Sequence, residues 1–351
     1  MIIRENYSEE HIRELQRESK CDPGLIERTL FAFGLLEALL KVGLSFTFKG
    51  GTSLMLLLSK PMRLSTDIDI VVEPGTDIDA YIQKAAAIFP FKSGGEKERK
   101  ARGKIEKRHF KFFYDSPVRS GKELYILLDV LFEENHYAKI VQREIANDLL
   151  LTDGENQVVS IPSVDCVLGD KLTAFAPYTT GIPLRKDKDM EVIKQFFDVS
   201  TLTNEITDFD LVRRTYFDIC DTEIGYREQN ITPADALLDS IQAAVCIGSR
   251  GKSNEDDFSS YLRGTRDVSQ HIYVSGFSME RAALMAPQVI YLAACLLTRS
   301  TYTRVDDPQP YLKEKLTQPD MMIMKSLRRG SPVGYAYLAC ADRLLTDYRS
   351  R

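Results

Sequence analysis

The sequence predicts an α+β protein whose first part is mixed and whose second part is mostly helical. Short segments with aromatic or β-branched residues at alternate positions recur between residues 46 and 132, as expected for strands. Apolar residues at helical spacing flank these segments. From about residue 204 onward, helical spacing continues without a strand pattern of comparable strength. We therefore expect one domain over residues 1–200 and a second over residues 201–351.

Capping and turn residues set the boundaries of the expected elements. Asp22 and Pro23 form an N-cap and first-turn pair that opens an apolar helix ending near Gly43. Pro74 and Gly75 form a turn that ends a predicted strand. In chain order we expect a polar helix over 8–20, a helix over 25–42, strands near 46–48 and over 63–73, a helix over 78–89, strands over 110–114 and 123–132, and helices over 164–176 and 190–202.

Composition places the chain among globular proteins. With 44% apolar and 28% charged residues, it belongs to neither the disordered nor the fibrous classes. Its 46 Lys and Arg against 51 Asp and Glu give a net charge of −5, which argues weakly against a protein that coats nucleic acid. The charge is uneven, however, because residues 92–111 hold nine Lys or Arg and only three Glu.

Cysteine usage and hydropathy indicate the cellular setting. The six cysteines form no CxxC pair, and no histidine lies at metal-site spacing, so we expect neither a disulfide framework nor a zinc site. The longest apolar stretches, around 35–40 and 286–297, are shorter than the ~20 residues of a membrane span. The first residues also lack the apolar core of a signal peptide. We expect a cytoplasmic protein with no membrane partner.

A double glycine followed by two hydroxyl residues lies between a predicted strand and a predicted helix. Gly50 and Gly51 let the backbone approach a ligand closely, and the N–H groups at a helix start attract phosphate. Thr52 and Ser53 add hydroxyl donors. A glycine pair in such a place is also a common plain connector, so this turn indicates a phosphate site only together with the residues that follow it.

Two carboxylates follow in the next strand. Asp67 and Asp69 share one face because side chains alternate along a strand. Their like charges repel unless a cation neutralises them, and carboxylate oxygens suit Mg²⁺, in particular two ions that bridge nucleotide phosphates. Asp129 interrupts an apolar strand and is the candidate third carboxylate. Arg63 and Ser65 precede the pair and are candidate phosphate ligands. The alternative for each acid is a solvated strand end.

The run FKGGTSL, followed by RLSTDIDI, resembles the DNA-polymerase-β-type nucleotidyltransferases, and among them the bacterial AbiEii and MenT toxins. Their signature is a GGT-[SA]-L turn followed by R-x-S-x-D-[IL]-D. GDKLTAFA is similar to the family's lysine-bearing helix and places Lys171 on its catalytic lysine. KQFFDVSTL resembles a downstream motif and places Asp198 on its functional aspartate, although Gln195 stands where many relatives carry an acid. The resemblance covers roughly residues 46–202.

This resemblance implies a nucleotidyltransferase domain with a small mixed sheet flanked by helices. It further implies transfer of a nucleoside monophosphate from an NTP to an acceptor, with two Mg²⁺ ions held by Asp67, Asp69 and Asp129. In MenT-type relatives the acceptor is the 3′ end of tRNA, translation is blocked, and a separate antitoxin protein controls the toxin. The implied catalytic residues are Asp67, Asp69, Asp129, Lys171 and Asp198, and the implied nucleotide-binding residues are Gly50, Gly51, Thr52, Ser53, Arg63 and Ser65.

The basic segment over residues 92–111 offers a possible contact with tRNA. Its Lys and Arg side chains would bind phosphates in a salt-dependent way, and a neighbouring aromatic residue would stack on an unpaired 3′ base. The segment fits a solvated loop equally well, and the alternation over 110–114 favours strand core over a stacking surface. The candidate RNA-binding residues are Lys97, Arg99, Lys100, Arg102 and Lys104.

Two other functions stay open from the sequence alone. The same chemistry could act on a small molecule such as an aminoglycoside, or on a protein side chain, and the helical half would then hold the acceptor. The domain could instead bind a nucleotide or a partner without catalysis. The presence of all three candidate acids speaks against this last alternative.

Overall fold

The computed structural model describes residues 1–97, 106–227, 230–273 and 276–350. In these residues the protein forms thirteen α-helices and seven β-strands, so the α+β class is confirmed. The chain divides into two compact units. The first contains Met1–Ser163 and a short segment that begins at Gln270, and the second begins at Val164. The domains expected over residues 1–200 and 201–351 stay a prediction, because compactness does not establish which segments fold on their own.

The first unit is built on a mixed sheet of five strands and a separate sheet of two. Its strands are β1 (Thr47–Lys49), β2 (Ile68–Val72), β3 (Ser93–Glu96), β4 (Glu106–Asp115), β5 (Glu123–Phe132), β6 (Ile140–Glu144) and β7 (Val158–Pro162). The larger sheet has the order β1-β2-β5-β4-β3, and the smaller one pairs β6 with β7. Only β2 and β5 run parallel; the other described pairs are antiparallel.

Four helices belong to this unit: α1 (Glu9–Ser19), α2 (Pro23–Lys41), α3 (Gly50–Leu57) and α4 (Asp79–Ala86). The predicted start of α2 is confirmed, because the Asp22 carboxylate accepts the Leu25 N–H at 3.1 Å and Pro23 occupies the first turn. Helix α2 is largely buried and packs against the sheet, where Phe31 stacks on Tyr114 of β4 with ring centroids 3.7 Å apart. This contact closes one face of the sheet.

Alternation along the central strands separates two faces of the sheet. Ile68 and Ile70 of β2, and Leu128 and Val130 of β5, are at most 1% exposed and form the core face. The intervening residues Asp69 and Asp129 project from the opposite side, which we call the outer face. The predicted strand positions of Asp69 and Asp129 are confirmed. The expected strand position of Asp67 is wrong, because β2 begins at Ile68 and Asp67 precedes it. Strands β3, β6 and β7 were not expected; they are short and lack strong alternation.

The described part of the second unit is helical. A capping box at its Thr232-Pro233 helix start joins the Thr232 hydroxyl to the Asp235 N–H and the Asp235 carboxylate to the Thr232 N–H. The helices are α5 (Val164–Ala174), α6 (Asp189–Leu202), α7 (Phe209–Arg227), α8 (Pro233–Gly248), α9 (Glu255–Val268), α10 (Met279–Leu297), α11 (Pro319–Met322), α12 (Leu327–Gly330) and α13 (Pro332–Arg349).

Helix α10 is longer than the apolar stretch that the sequence indicates. The apolar stretch read as residues 286–297 belongs to a helix that begins at Met279, and in the described residues this helix alone has the length and composition of a membrane span. Its most apolar window is 72% buried inside the protein. Such burial is typical of a core helix.

Candidate functional site

Four neighbouring strands bring four polar side chains into one row on the outer face. Lys49 of β1 lies opposite Asp69 of β2. Asp69 is paired in turn with Asp129 of β5, and Asp129 with His109 of β4. Directly paired residues of neighbouring strands share a face, with strands ~4.8 Å apart. We call Lys49, Asp69, Asp129 and His109 the polar row; its centre is a pair of adjacent carboxylates.

A hydrogen bond fixes one end of the polar row. Nδ1 of His109 lies 2.6 Å from Oδ1 of Asp129, and since a carboxylate accepts, the imidazole N–H is the donor. The two side chains are 16% and 30% exposed, so the pair is half-buried yet reachable. This contact holds one oxygen of the Asp129 carboxylate. No local sequence pattern indicates this contact, because the two residues are 20 positions apart.

The double glycine packs directly onto the polar row. Gly50 has φ +83°, and a Cβ added there would overlap Oδ2 of Asp69 and lie 2.8 Å from its Cγ. A Cβ on Gly51 would lie 2.6 Å from Nη2 of Arg63 and 2.8 Å from Oγ of Ser65. The backbone conformation and the close approach to Asp69 both favour glycine at Gly50, whereas at Gly51 the close atoms belong to the side chains of Arg63 and Ser65. The turn brings the start of α3 to the acids and to the two candidate phosphate ligands.

The hydroxyl groups of Thr52 and Ser53 form hydrogen bonds with the protein's own backbone. Thr52 Oγ1 donates to the backbone oxygen of Asp67 at 2.6 Å, and Ser53 Oγ donates to the backbone oxygen of Gly50 at 2.8 Å. Both residues are completely buried. Their hydroxyls thus hold the turn against β2. What the turn offers to a phosphate is the set of N–H groups in the first turn of α3, which have no partner within a helix.

Arg63 and Ser65 lie in a segment that is anchored from two sides. The backbone N–H of Leu64 donates to the oxygen of His271 at 2.7 Å, and Arg63 forms a bridge with Ile272. From the other side, Thr29 Oγ1 of α2 donates to the backbone oxygen of Ser65 at 3.0 Å. These contacts hold the segment beside the glycine turn. The contribution of residues 271–272, about 200 positions downstream, has no counterpart in the sequence motif.

The carboxylates fit a metal ion that is shared with another ligand. In the described residues, no three His, Cys, Asp or Glu side chains converge closely enough to hold a metal alone. Asp67 is exposed and Asp69 half-buried, two positions apart, with Asp129 on the adjacent strand. Mg²⁺ is commonly held by one or two carboxylates together with substrate phosphates and water. The donor set suits that mode of binding, in which the nucleotide completes the coordination.

Lys171 and Asp198, two further predicted site residues, lie in the second unit and contact each other. Nζ of Lys171 on α5 is 3.0 Å from Oδ2 of Asp198 on α6, with side chains 10% and 2% exposed. Gln195 precedes Asp198 by nearly one turn, and its Oε1 is buried without a hydrogen-bond partner in the described residues. The two motifs that carry these residues are thus joined by a buried ion pair.

Comparison with known families identifies the chain. Residues 35–263, about two thirds of its length, match the family model described as nucleotidyl transferase AbiEii toxin of the type IV toxin–antitoxin systems. The chain belongs to the AbiEii nucleotidyltransferase toxin family. Membership implies an NTP substrate, a divalent metal and a cognate antitoxin. The match contains all the predicted catalytic and nucleotide-binding residues. No curated protein matches the chain.

The basic segment of this AbiEii-family protein is partly committed to structural contacts. Arg108 bonds to both Asp79 and Glu96 at 2.7 Å, and these hydrogen bonds lower the pKa of each carboxyl. Lys92 pairs with Asp115 at 2.9 Å. The aromatic alternation nearby is core, as predicted: Phe110, Phe112 and Tyr114 are buried. Of the candidate RNA-binding residues, Lys97 continues the β3–β4 pairing through its backbone N–H, while Arg99, Lys100, Arg102 and Lys104 lie outside the described residues.

The second unit also contains a polar cleft of about 570 Å³. Both arginines of the cleft form ion pairs with carboxylates. Arg185 pairs with Asp257 at 2.6 Å, and Arg263 pairs with Asp189 at 2.7 Å. The volume lies within the ~300–1,000 Å³ typical of small-molecule sites. The lining residues are Arg185, Asp187, Asp189, Asp256, Ser259, Ser260 and Arg263.

Replacing Gly50 with alanine should reduce nucleotidyl transfer about 10²-fold, because the added methyl group displaces the Asp69 carboxylate. The matched control is Gly75→Ala. Gly75 has the same φ of +83°, but a Cβ there meets nothing within 4 Å. Both changes should cost about 1–2 kcal/mol through the left-handed backbone, and only Gly50→Ala should lose activity. Equal transfer rates for the two variants would show that the close approach to Asp69 has no part in catalysis.

Proposed function

We propose that the protein transfers a nucleoside monophosphate from an NTP to the 3′-hydroxyl of tRNA, uses Mg²⁺, and thereby blocks translation. The observation that carries this proposal is the adjacency of Asp69 and Asp129 at the centre of the polar row, with the Gly50 turn packed on Asp69. A helix start beside paired carboxylates offers both an anion site and a cation site. A nucleoside triphosphate with its metal ions requires that combination.

The residues of the first unit would have two roles in this reaction. Asp67, Asp69 and Asp129 would hold Mg²⁺, which when bound would supply the positive charge that phosphoryl transfer requires. The first N–H groups of α3 and the side chains of Arg63 and Ser65 bind the triphosphate. The 3′-hydroxyl oxygen of the acceptor would form a bond to the α-phosphorus and release its proton to solvent water. The bond from that phosphorus to the oxygen that bridges to the β-phosphate breaks, and pyrophosphate leaves with that oxygen.

Lys171 and Asp198 would act as one group. Asp198 fixes the ammonium of Lys171 at 3.0 Å and limits its side-chain motion. A held lysine is suited to neutralising phosphate charge at a lower entropic cost than a mobile one. For the acceptor, the lysines and arginines of residues 97–104 supply positive charge for tRNA phosphates. This leaves Lys97, Arg99, Lys100, Arg102 and Lys104 as proposed RNA contacts.

The test is direct labelling of nucleic acid. The purified protein is incubated with Mg²⁺, each of the labelled NTPs in turn, and total RNA, and the RNA is then separated by size. We expect label in tRNA from at least one NTP, none after addition of a chelator, and none in RNA whose 3′ ends were oxidised with periodate. Translation in a cell-free system should fail with the labelled tRNA. Label in no RNA would contradict the tRNA proposal.

A small-molecule acceptor is the second candidate, and the polar cleft of the second unit favours it because its size suits such a ligand. The same labelling experiment distinguishes a tRNA acceptor from a small-molecule acceptor. Incubation with a mixture of aminoglycosides and RNA should place label in the RNA fraction under our proposal. Label confined to the small-molecule fraction, and lost in Arg263→Gln, would support the second candidate instead.

A further inference from the structure

We propose that the outer face of β4 and β5 binds the single-stranded 3′ end of the acceptor RNA, with Tyr125 stacking on a base and Lys107 and Lys111 contacting phosphates. This inference rests on the proposed function and names the surface that presents the acceptor. We call Lys107, Lys111, Phe113, Tyr125 and Leu127 the β4–β5 platform.

The platform continues the polar row along the same two strands. From the His109–Asp129 pair, the register proceeds to Lys111 opposite Leu127 and to Phe113 opposite Tyr125. These residues are two apart on each strand, so they share the outer face with Asp129. The neighbouring aromatics Phe110, Phe112 and Tyr114 point to the core face and are buried. A polymer lying along the platform therefore leads to the proposed catalytic carboxylates.

Tyr125 is the aromatic surface of the platform. Its side chain is 42% exposed, because Tyr125 lies near the start of β5, where β4 alone pairs with that strand and β2 does not reach. Phe113 holds it in an edge-to-face contact, with ring centroids 6.0 Å apart and planes at 61°. A fixed and exposed ring on a sheet is how single-stranded nucleic acids are commonly bound, because every base has a face that can stack.

Positive charge accompanies this ring. Nζ of Lys111 lies over the Tyr125 ring, 3.8 Å from its centroid, so the ammonium occupies one face of the ring and a base would stack on the other. Lys107 is exposed two residues before His109. In the part of the chain that the structure describes, neither lysine has a carboxylate within ion-pair distance, whereas Arg108 between them is paired with Asp79 and Glu96. The uncompensated lysines of β4 thus lie on the platform.

Geometry and charge limit what the platform accepts. Tyr125 is four residues from Asp129, ~13 Å along the strand, which equals about four stacked nucleotides at ~3.4 Å each. This is the length scale of the unpaired 3′ end of tRNA. Beyond Tyr125 the outer face carries Asp115 opposite Glu123, and Lys92 pairs with Asp115 at 2.9 Å. Two negative charges against one positive charge oppose further contact with a phosphate chain. A duplex has no unstacked base to offer to Tyr125, so the ligand is single-stranded.

The experiment measures binding and transfer separately with the full chain. Fluorescence anisotropy reports the affinity for a 5′-labelled single-stranded RNA that carries the 3′ sequence of tRNA, without NTP. Tyr125→Ala should weaken this affinity and raise the KM for RNA about 10-fold, without changing the KM for NTP. Tyr125→Phe keeps the ring and should bind as wild type. Lys107→Gln and Lys111→Gln should each reduce the salt slope of binding by about one.

The control is Tyr348→Ala, which removes a tyrosine of similar exposure (39%) from α13. Equal RNA affinity for Tyr125→Ala and Tyr348→Ala, or tighter binding of a duplex of the same sequence, would overturn the platform. If the wild type labels tRNA and Tyr125→Ala leaves the KM for RNA unchanged, the platform fails and the proposed function stands. Binding that depends on Tyr125 in a protein that labels no RNA would support the platform and contradict the proposed function.

Discussion

Replacing Asp69 with asparagine should lower the rate of nucleotidyl transfer by about 10³-fold or more. Asp69 occupies the centre of the polar row, next to Asp129 and under the glycine turn. Asparagine keeps the size of the side chain and removes the negative charge, so the loss reflects weaker binding of the metal and of the transition state. The measurement is the single-turnover rate of tRNA labelling at saturating NTP, repeated over a range of Mg²⁺ concentrations.

Asp77→Asn is the matched control. It makes the same chemical change in an exposed residue of the same unit, eight positions downstream and outside the polar row. We expect its transfer rate to equal that of the wild type. Circular dichroism should show the same helix content for both variants, since neither replaces a core side chain. If the Asp69→Asn variant transferred nucleotides as fast as the Asp77→Asn variant, the polar row would have no part in the mechanism.

Much of the site was predictable because its signals are local. Alternation identifies the strands that carry Asp69 and Asp129, and two adjacent glycines before an apolar run identify the turn and the helix that follows. The Asp22-Pro23 pair fixes the start of α2 in the same way. Each of these features depends on a few neighbouring residues, and the structure reproduces them.

The assembly of the site depends on pairing across long stretches of sequence. Asp69 and Asp129 become neighbours only because β2 and β5 run parallel, sixty residues apart, and no local pattern specifies this pairing. The register of β4 against β5 likewise decides that His109, rather than a residue one position away, meets Asp129. The anchoring of Arg63 by Ile272 is a third example.

The hydroxyls of the glycine turn show a different limit. The sequence predicts that the hydroxyls of Thr52 and Ser53 bind phosphate, and this stays a prediction. In the structure both hydroxyls bond to backbone oxygens of the turn and of the approach to β2. Hydroxyl side chains compete for nearby backbone groups, and the outcome depends on rotamers that a sequence pattern does not contain.

Breaking the Lys171–Asp198 ion pair should strongly reduce the stability of the second unit. Asp198→Asn leaves the Lys171 ammonium buried without its counter-charge, as the pair is only 10% and 2% exposed. Removing one partner of a buried pair typically costs about 3–5 kcal/mol, a large share of the stability of a domain. We expect amide hydrogen exchange in α5 and α6 to accelerate accordingly. Lys171→Met should destabilise the same helices because it removes the ammonium that lies 3.0 Å from the buried Asp198 carboxylate.

The double variant Lys171→Met/Asp198→Asn separates the cost of an unpaired charge from the value of the pair. It removes both charges, so it should be more stable than the sum of the single changes predicts. The exposed pair Arg13–Glu9, with side chains 40% and 54% exposed, is the control, and Glu9→Gln should change stability by less than about 1 kcal/mol. Additive effects at Lys171 and Asp198 would contradict a direct coupling between them.

Transfer activity then tests whether the pair also acts in catalysis. Lys171→Arg keeps a cation beside Asp198 and should therefore retain more stability than Lys171→Met. The guanidinium is longer and planar, however, so it cannot reproduce the position of the lysine ammonium. If Lys171 neutralises phosphate charge, Lys171→Arg should transfer about 10²-fold more slowly at temperatures where it remains folded. Wild-type transfer by this variant, together with loss of stability in Lys171→Met, would assign the pair to the fold of the second unit alone.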